Sequence, residues 1–451
     1  MRVATVHREG LGSQHLRLDP SFYVRRTSLR RLLDGDETSH VPLADIIAEM
    51  HDGARLPAAR AGIPLVRLSN LRACELDFTS LRCVDSSASG SWPQVRSGDV
   101  LFTRSAMPFR AAVVPEGAPS PLTVSPEITV IRPRAAVVPE YLAALLSTGA
   151  CRKVLDDLAY RRSPTALRRL RLQDVQRLPV PLPGRKLQEE IKAVYEAAAR
   201  LSEDARSEIV RVVRAVHSEI DAKLHWPALP RDQFVIRRSD LEHRWDVPYA
   251  KGRLLRDALR TNAVMVPLLG LARPVPSSLR GIDEQQLVLA VQADDINEST
   301  FLVEGARPRP LTELSARMRQ RLAVRDVLIC TTGLGEQVAY LDESLAAGDL
   351  PLLGSATFAA LRFSETPRFY AVALAHPVVR AQLHLLSSGA VQRFVNKRDL
   401  DELLVPNLGT VWREDFDARV DRAMQRRREA LAARLHLLAA AQRFVQEGWR
   451  A

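Results

Sequence analysis

The stretch DVQRLPVPLPGRKLQEEI (residues 174–191) runs from an Arg/Leu-rich segment through Val-Pro and a Pro/Gly punctuation into a charged helical pattern. The stretch DLDELLVPNLGTVWREDF (residues 399–416) makes the same passage 225 residues later. Reading outward, RLDPSF at 17 is answered by RWDVPY at 244, and VPLADII at 41 by VPLLGLA at 266. GDVLFTRS, with Asp99, is answered by RDVLICTT, with Asp326. Four landmarks in one order, all shifted by 225–227 residues, mark an internal duplication.

Each copy has the same internal grammar. Strand-like runs, β-branched or apolar and bounded by Gly, Pro, Ser or Asp, fall at 63–71, 99–104, 111–116 and 127–133 in the first copy. In the second they fall at 286–292, 326–332, 337–341 and 356–363. Helical segments follow at 139–159 and 367–386, and a long helical stripe closes each copy. From 186 to 224 the apolar residues Leu187, Ile191, Val194, Ala198, Leu201, Ala205 and onward recur every three or four positions. From 412 to 449 the pattern repeats with Phe416, Val420, Met424, Leu431, Leu435 and Leu438, interrupted by Arg427 and Gln442. At about 1.5 Å per residue each helix spans roughly 55–60 Å. A stripe this narrow needs a partner surface, and the economical partner is the other helix. The expected fold is mixed α/β: globules at 1–185 and 227–410, each followed by a long helix (186–226 and 411–451), the helices packed as an antiparallel coiled coil.

A chain of 451 residues with 46% apolar and 26% charged residues has the length for two or three globular domains. No run of about eighteen uncharged apolar residues predicts a membrane span, and the first ten residues lack the apolar segment of a signal peptide. Cys74, Cys83, Cys151 and Cys330 lie far apart, which points to a reducing cytosol rather than a disulfide framework or thiolate zinc site. The net charge is +11, carried mostly by arginine. Arginine forks onto phosphates and guanine edges, so this balance suits nucleic acid. A GC-rich genome also raises Arg over Lys, but it does not require an excess of cations over carboxylates.

Catalytic constellations are incomplete. No Asn-Pro-Pro-Tyr or Asp-Pro-Pro-Tyr tetrapeptide of an amino-methyltransferase occurs, and TTGLGE (331–336) has only two of the three glycines of a dinucleotide loop. The EIK triplet at 190–192 sits on the long helix, where positions i and i+2 do not share a face. The ten histidines show no metal-ligand spacing. The chain reads as non-enzymatic.

Two α/β globules, each followed by a long helix and joined through LPVPLPGRKLQEEI, resemble the specificity subunit of type I restriction–modification systems. The resemblance covers about residues 17–449. It rests on the order of elements, the duplication, the GDVL and PLVRLSNL strands, and the Pro-rich step with Pro181, Pro183, Gln188 and Ile191. The second copy departs from it, lacking Pro-x-Pro and the glutamine. The resemblance implies two target-recognition domains, each reading one half of a bipartite duplex DNA target, with the helix pair as a ruler. It implies docking of methyltransferase subunits, two in number, that carry S-adenosylmethionine for adenine methylation, and the joining of a restriction (translocase) subunit. No cofactor is expected on this chain. The other class of reading is a protein-interaction or RNA-binding scaffold; an RNA reader wants stacking aromatics, and these make up only 5% of the chain.

DNA contacts are expected on loops, whose side chains are free of the core. The first candidate follows GDVLFT: Thr103, Arg104 and Ser105, matched by Thr331 and Thr332. The second is Tyr160, Arg161, Arg162, Ser163, Thr165, Arg168 and Arg169, matched by Ser388, Gly389, Gln392, Arg393, Lys397 and Arg398. Cations mixed with hydroxyls and amides suit phosphate clamping plus base-edge contact. The family's recognition domains carry a polar, glycine-containing loop at this second place. A third candidate is Arg67, Ser69 and Asn70, facing Gln292, Asp294 and Asp295 in the second copy, where a salt bridge or sheet-edge role is an equal reading.

Overall fold

The computed structural model describes residues 40–448 except positions 60, 80, 86–91, 106–108, 161–168, 228–245, 280, 316, 333–336, 347 and 390–392. The chain divides into two compact units, the first from residues 1–203 and 429–451, the second from 204–428.

In the first unit, strands Ile47–Asp52, Ile128–Pro133, Val100–Thr103 and Ala111–Val113 form an antiparallel sheet in that order. Alternate residues of these strands face opposite sides. Val100, Phe102, Ala111, Val113 and Ile131 pack with helices Pro139–Ser147 and Gly149–Leu158. Leu101, Ala112, Ile128 and Val130 pack with Val66, Leu71 and Val124 on the other side. Burial on both faces explains why these strands read as unbroken apolar runs rather than as alternating patterns.

The second unit repeats the arrangement. Strands Ala272–Pro274, Phe358–Phe363, Val327–Cys330 and Val338–Tyr340 stand in the corresponding order. Val327, Ile329, Val338 and Tyr340 face one core, Leu328, Cys330, Ala339 and Leu341 the other. Helices Pro367–Leu374 and Pro377–Leu386 take the places of the first unit's pair. The mixed α/β class is therefore as expected, and all eight anticipated strand runs contain a strand. Each helical segment is broken in two: Thr148 caps the second helix by accepting from Cys151 N, and His376 does so by accepting from Val378 N.

The landmark strings have a structural meaning. His40–Pro42 pairs antiparallel with Pro179–Pro181, bringing Val41 opposite Val180. Met265–Pro267 pairs the same way with Leu404–Pro406, bringing Val266 opposite Val405. The Val-Pro step that enters each globule is thus hydrogen-bonded to the one that leaves it. The first pair, with three prolines, and the second, with two, survive as two-stranded ribbons because no central-sheet N–H is required of them.

The long helices are Arg185–Lys223 and Thr410–Gly448, each of 39 residues. In the first unit Ile191 and Tyr195 share a core with Leu437 and Ala441. In the second, Val212, Val216 and Ile220 share one with Phe416, Val420 and Met424. There Arg426 meets Glu208, and the Lys223 ammonium lies 4.9 Å from the Trp412 ring centroid. Rising numbers on one helix meet falling numbers on the other, so the two segments in this unit run antiparallel.

Gln188 gives the junction its chemistry. It is buried, its Oε1 accepts from Val138 N at 2.9 Å and its Nε2 donates to the Pro183 carbonyl at 2.9 Å. It thereby satisfies an open N–H ahead of helix Pro139–Ser147. At the equivalent place in the second unit, Arg413 donates to the Tyr370 hydroxyl at 2.7 Å and to Thr410 at 3.2 Å. The departure from the glutamine is a replacement by another polar strut.

Candidate nucleic-acid interface

The first two candidate stretches come together in each unit. In the first, Leu170 N donates to the Arg104 carbonyl at 3.0 Å, and Arg169 Nε donates to Ser105 Oγ at 2.9 Å. Tyr160 and Arg169, which flank the undescribed residues 161–168, exchange backbone hydrogen bonds of 2.9 and 2.8 Å. The Arg171 guanidinium stacks on the Tyr160 ring, 5.2 Å from its centroid. In the second unit Val395 N donates to the Thr331 carbonyl at 2.8 Å. Phe394 bridges to both Thr332 and Ser388. Gly389, at φ +110°, turns the chain there in a conformation that a Cβ would strain.

Individual side chains divide into struts and surface. Arg104 bonds Asp52 through Nε at 3.0 Å and through Nη2, and reaches the Leu170 carbonyl through Nη1 at 2.8 Å. It clamps the loop to the sheet. Thr103 is buried and accepts from Arg110 N; Thr331 is buried and donates to the Thr357 carbonyl at 2.8 Å. Ser105 is buried as the acceptor of Arg169. Phe394 and Arg393 are exposed, as is Gly389. Arg161, Arg162, Ser163, Thr165, Arg168 and Gln392 lie outside the described residues, as do the side chains of Lys397 and Arg398.

The third stretch is a reciprocal cap. Asn70 is buried and its Oδ1 accepts from Arg67 N at 3.0 Å across the turn Leu68–Asn70. Asp295 accepts from Gln292 N at 2.9 Å across Ala293–Asp295 in the second unit. Each turn opens a hairpin, Leu71–Arg72 with Glu75–Leu76 and Ile296–Asn297 with Leu302–Val303. Beside each hairpin a carboxylate receives a buried arginine from the second long helix: Glu75 from Arg434, Glu304 from Arg427. Sequence reading missed these anchors. The interruption of the apolar stripe at Arg427 was the available signal, since a charge at a core position needs a buried partner.

Burial pushes the Cys74 and Cys151 thiols up to about 12, so neither is a thiolate at neutral pH. Among the described residues no group of three or more His, Cys, Asp or Glu side chains is placed to hold a metal ion. No described helix is long and apolar enough to cross a membrane.

Neither a family model nor a curated protein matches the sequence. Three solved structures align over most of the chain. The HsdS subunit from Thermoanaerobacter tengcongensis is 16% identical, with 91% of this chain and 96% of that one covered at a TM-score of 0.30. The S subunit of a type I restriction–modification system from M. genitalium is 11% identical, covering 93% and 97% at a TM-score of 0.33. A chain from a type I R-M complex is 16% identical, covering 91% and 96% at a TM-score of 0.28.

Proposed function

We propose that this chain is the DNA-recognition (specificity) subunit of a type I restriction–modification or related defence complex. Each repeat reads one half of a bipartite duplex target. The observation that carries this reading is the repetition of one loop pair, stem against stem, at the same place in two copies of one fold. In both copies the paired loops carry arginine with hydroxyl or amide side chains. A duplicated reader multiplies specificity, because each mismatched base pair costs about 1–3 kcal/mol and separated positions add. The chain supplies recognition and no bond chemistry. Methyltransferase subunits dock on it and bring S-adenosylmethionine; a restriction subunit completes the cleaving form.

The test is gel mobility of the chain plus its partner methyltransferase on duplex DNA, read with half-site protection. Arg162→Ala and Arg393→Ala are each expected to lose protection of one half-site while keeping the other. Equal loss on every duplex would mean phosphate binding without sequence readout, and the reading would fall.

A further inference from the structure

The two long helices begin at 185 and 410 and have equal length, so residue n of the first corresponds to n+225 of the second. Their buried positions agree, as at Ile191 and Phe416, Val212 and Leu437, or Val216 and Ala441. Their C-terminal halves serve different units. Residues 429–448 belong to the first unit and 204–223 to the second. The chemistry differs at several positions in these halves, Arg206 against Leu431 among them, and at two of them the difference is answered by the globule it meets.

The first position is 209/434. Ile209 is 2% exposed in the apolar core of the second unit. Arg434, its equivalent, is buried in the first unit against Glu75, itself buried. The second unit already supplies a guanidinium to its own hairpin carboxylate, because Arg427 meets Glu304. The second position is 217/442. Gln442 accepts the Gly149 N–H at 3.1 Å, whereas His217 contacts the Val372 carbonyl at 3.0 Å and lies edge-on to His376, ring centroids 4.9 Å apart. The second-unit helix corresponding to Gly149–Leu158 begins with Pro377, which has no N–H to offer a glutamine.

We infer that these positions make the two helix halves non-interchangeable. Each unit accepts the unlike helix as its completing partner and rejects the like helix of a second copy of this chain. Placed on the first unit, the first helix would bring Ile209 to the Glu75 carboxylate in place of Arg434. Placed on the second unit, the second helix would insert Arg434 into the apolar core beside an arginine–carboxylate pair that is already complete. Both mispairings put charge where burial opposes it. Duplication creates the hazard, since two near-equivalent helices invite like-with-like association between chains; the mismatched buried groups act against it.

The test uses the full chain. Glu208 meets Arg426, which corresponds to residue 201 of the first helix, so an antiparallel pair of two first helices would cross near 204. Asp204 is exposed. In a Cys83→Ser background, Asp204→Cys is refolded from denaturant under oxidising conditions, and covalent dimer is read on a non-reducing gel against an Asp349→Cys control. The unlocked chain carries the same substitutions plus Arg434→Ile and Glu75→Leu, with circular dichroism melting checked. The parent is expected to stay at the control level, and the unlocked chain to rise about tenfold. A second variant, His217→Gln, gives the first helix the amide that suits Gly149, and is expected to raise dimer about threefold without touching a buried charge. No rise in either variant, or abundant dimer in the parent, overturns the inference.

Discussion

Arg427 lies in the core of the second unit with Nε and Nη2 at 2.8 and 2.9 Å from the two carboxylate oxygens of Glu304, each side chain no more than 1% exposed. The fork geometry pairs two donors with two acceptors, which a lysine cannot do. Removing one partner of such a pair costs about 3–5 kcal/mol, more than the pair contributes relative to an apolar replacement. Arg427→Met is therefore expected to lower the stability of the second unit by about that amount, while Arg427→Met with Glu304→Gln, which keeps acceptor capacity for Asn297 Nδ2 and Thr300 Oγ1, recovers part of it. Denaturant unfolding of the three proteins measures both numbers. Equal destabilisation by the single and double variants would contradict the account.

Gln188 bridges Val138 N and the Pro183 carbonyl from a buried position. Gln188→Leu preserves shape but strands both backbone groups, at a cost of about 1–3 kcal/mol for each. The thermal midpoint is expected to drop by several degrees, and Gln188→Glu, which keeps one acceptor, is expected to fall between. A midpoint unchanged in Gln188→Leu would remove the glutamine from the junction's energetics.

Gly53 sits where its backbone N–H meets the Ile128 carbonyl at 2.9 Å. A Cβ there would stand 2.2 Å from the Ser125 carbonyl oxygen and 2.3 Å from that of Val124. Backbone atoms cannot give way as a side chain does, so Gly53→Ala forces its segment away from the Val124 and Ser125 carbonyls. Overpacking of this kind typically costs about 1–3 kcal/mol. Gly184→Ala, whose Cβ meets nothing within 4 Å, is the control and is expected to be silent in the same melt.

His376 caps helix Pro377–Leu386, its Nδ1 accepting from Val378 N at 3.2 Å, with Nε2 3.3 Å from Asp221 Oδ1. Burial, then the neighbouring His217, lowers its pKa to about 4 from the ordinary 6.5, against the opposing pull of Asp221. The unfolded chain thus binds a proton below 6.5 that the folded one refuses. The stability contribution is complete above pH 6.5 and is lost as pH falls toward 4, by roughly 2–3 kcal/mol. His376→Asn keeps an acceptor for the cap and is expected to flatten the melting temperature between pH 6.5 and 4.5. An unchanged pH slope would assign the acid sensitivity elsewhere.

The legible parts of this sequence were those where local pattern and burial agree. Val100–Thr103 and Val327–Cys330 are buried on both faces, so composition alone marks them. The strand Arg307–Pro310 reads RPRP and was invisible; it lies at the edge of its sheet, where proline is tolerated. Met318–Leu322, MRQRL, is also an edge strand, and its arginines masked its alternation. The loop candidates were found as separate strings; that Arg104 and Ser105 join Leu170 and Arg169 depends on contacts across more than sixty positions. Arg104 as a strut was equally hidden, because Asp52 is 52 residues away. The repeat was legible because it compares the chain with itself.

The ribbon that sets Val41 opposite Val180 has a topological consequence. The chain from Leu43 to Leu178 leaves and returns through this neck, so it is closed there as a loop. Insertions or deletions in parts of the loop that do not touch the long helices leave the neck's hydrogen bonds as they were. The same holds for the loop closed by Val266 and Val405. Parts of each globule that do not meet the long helices can change while the neck stays as it is, whereas Glu75 and Glu304, which hold Arg434 and Arg427, cannot.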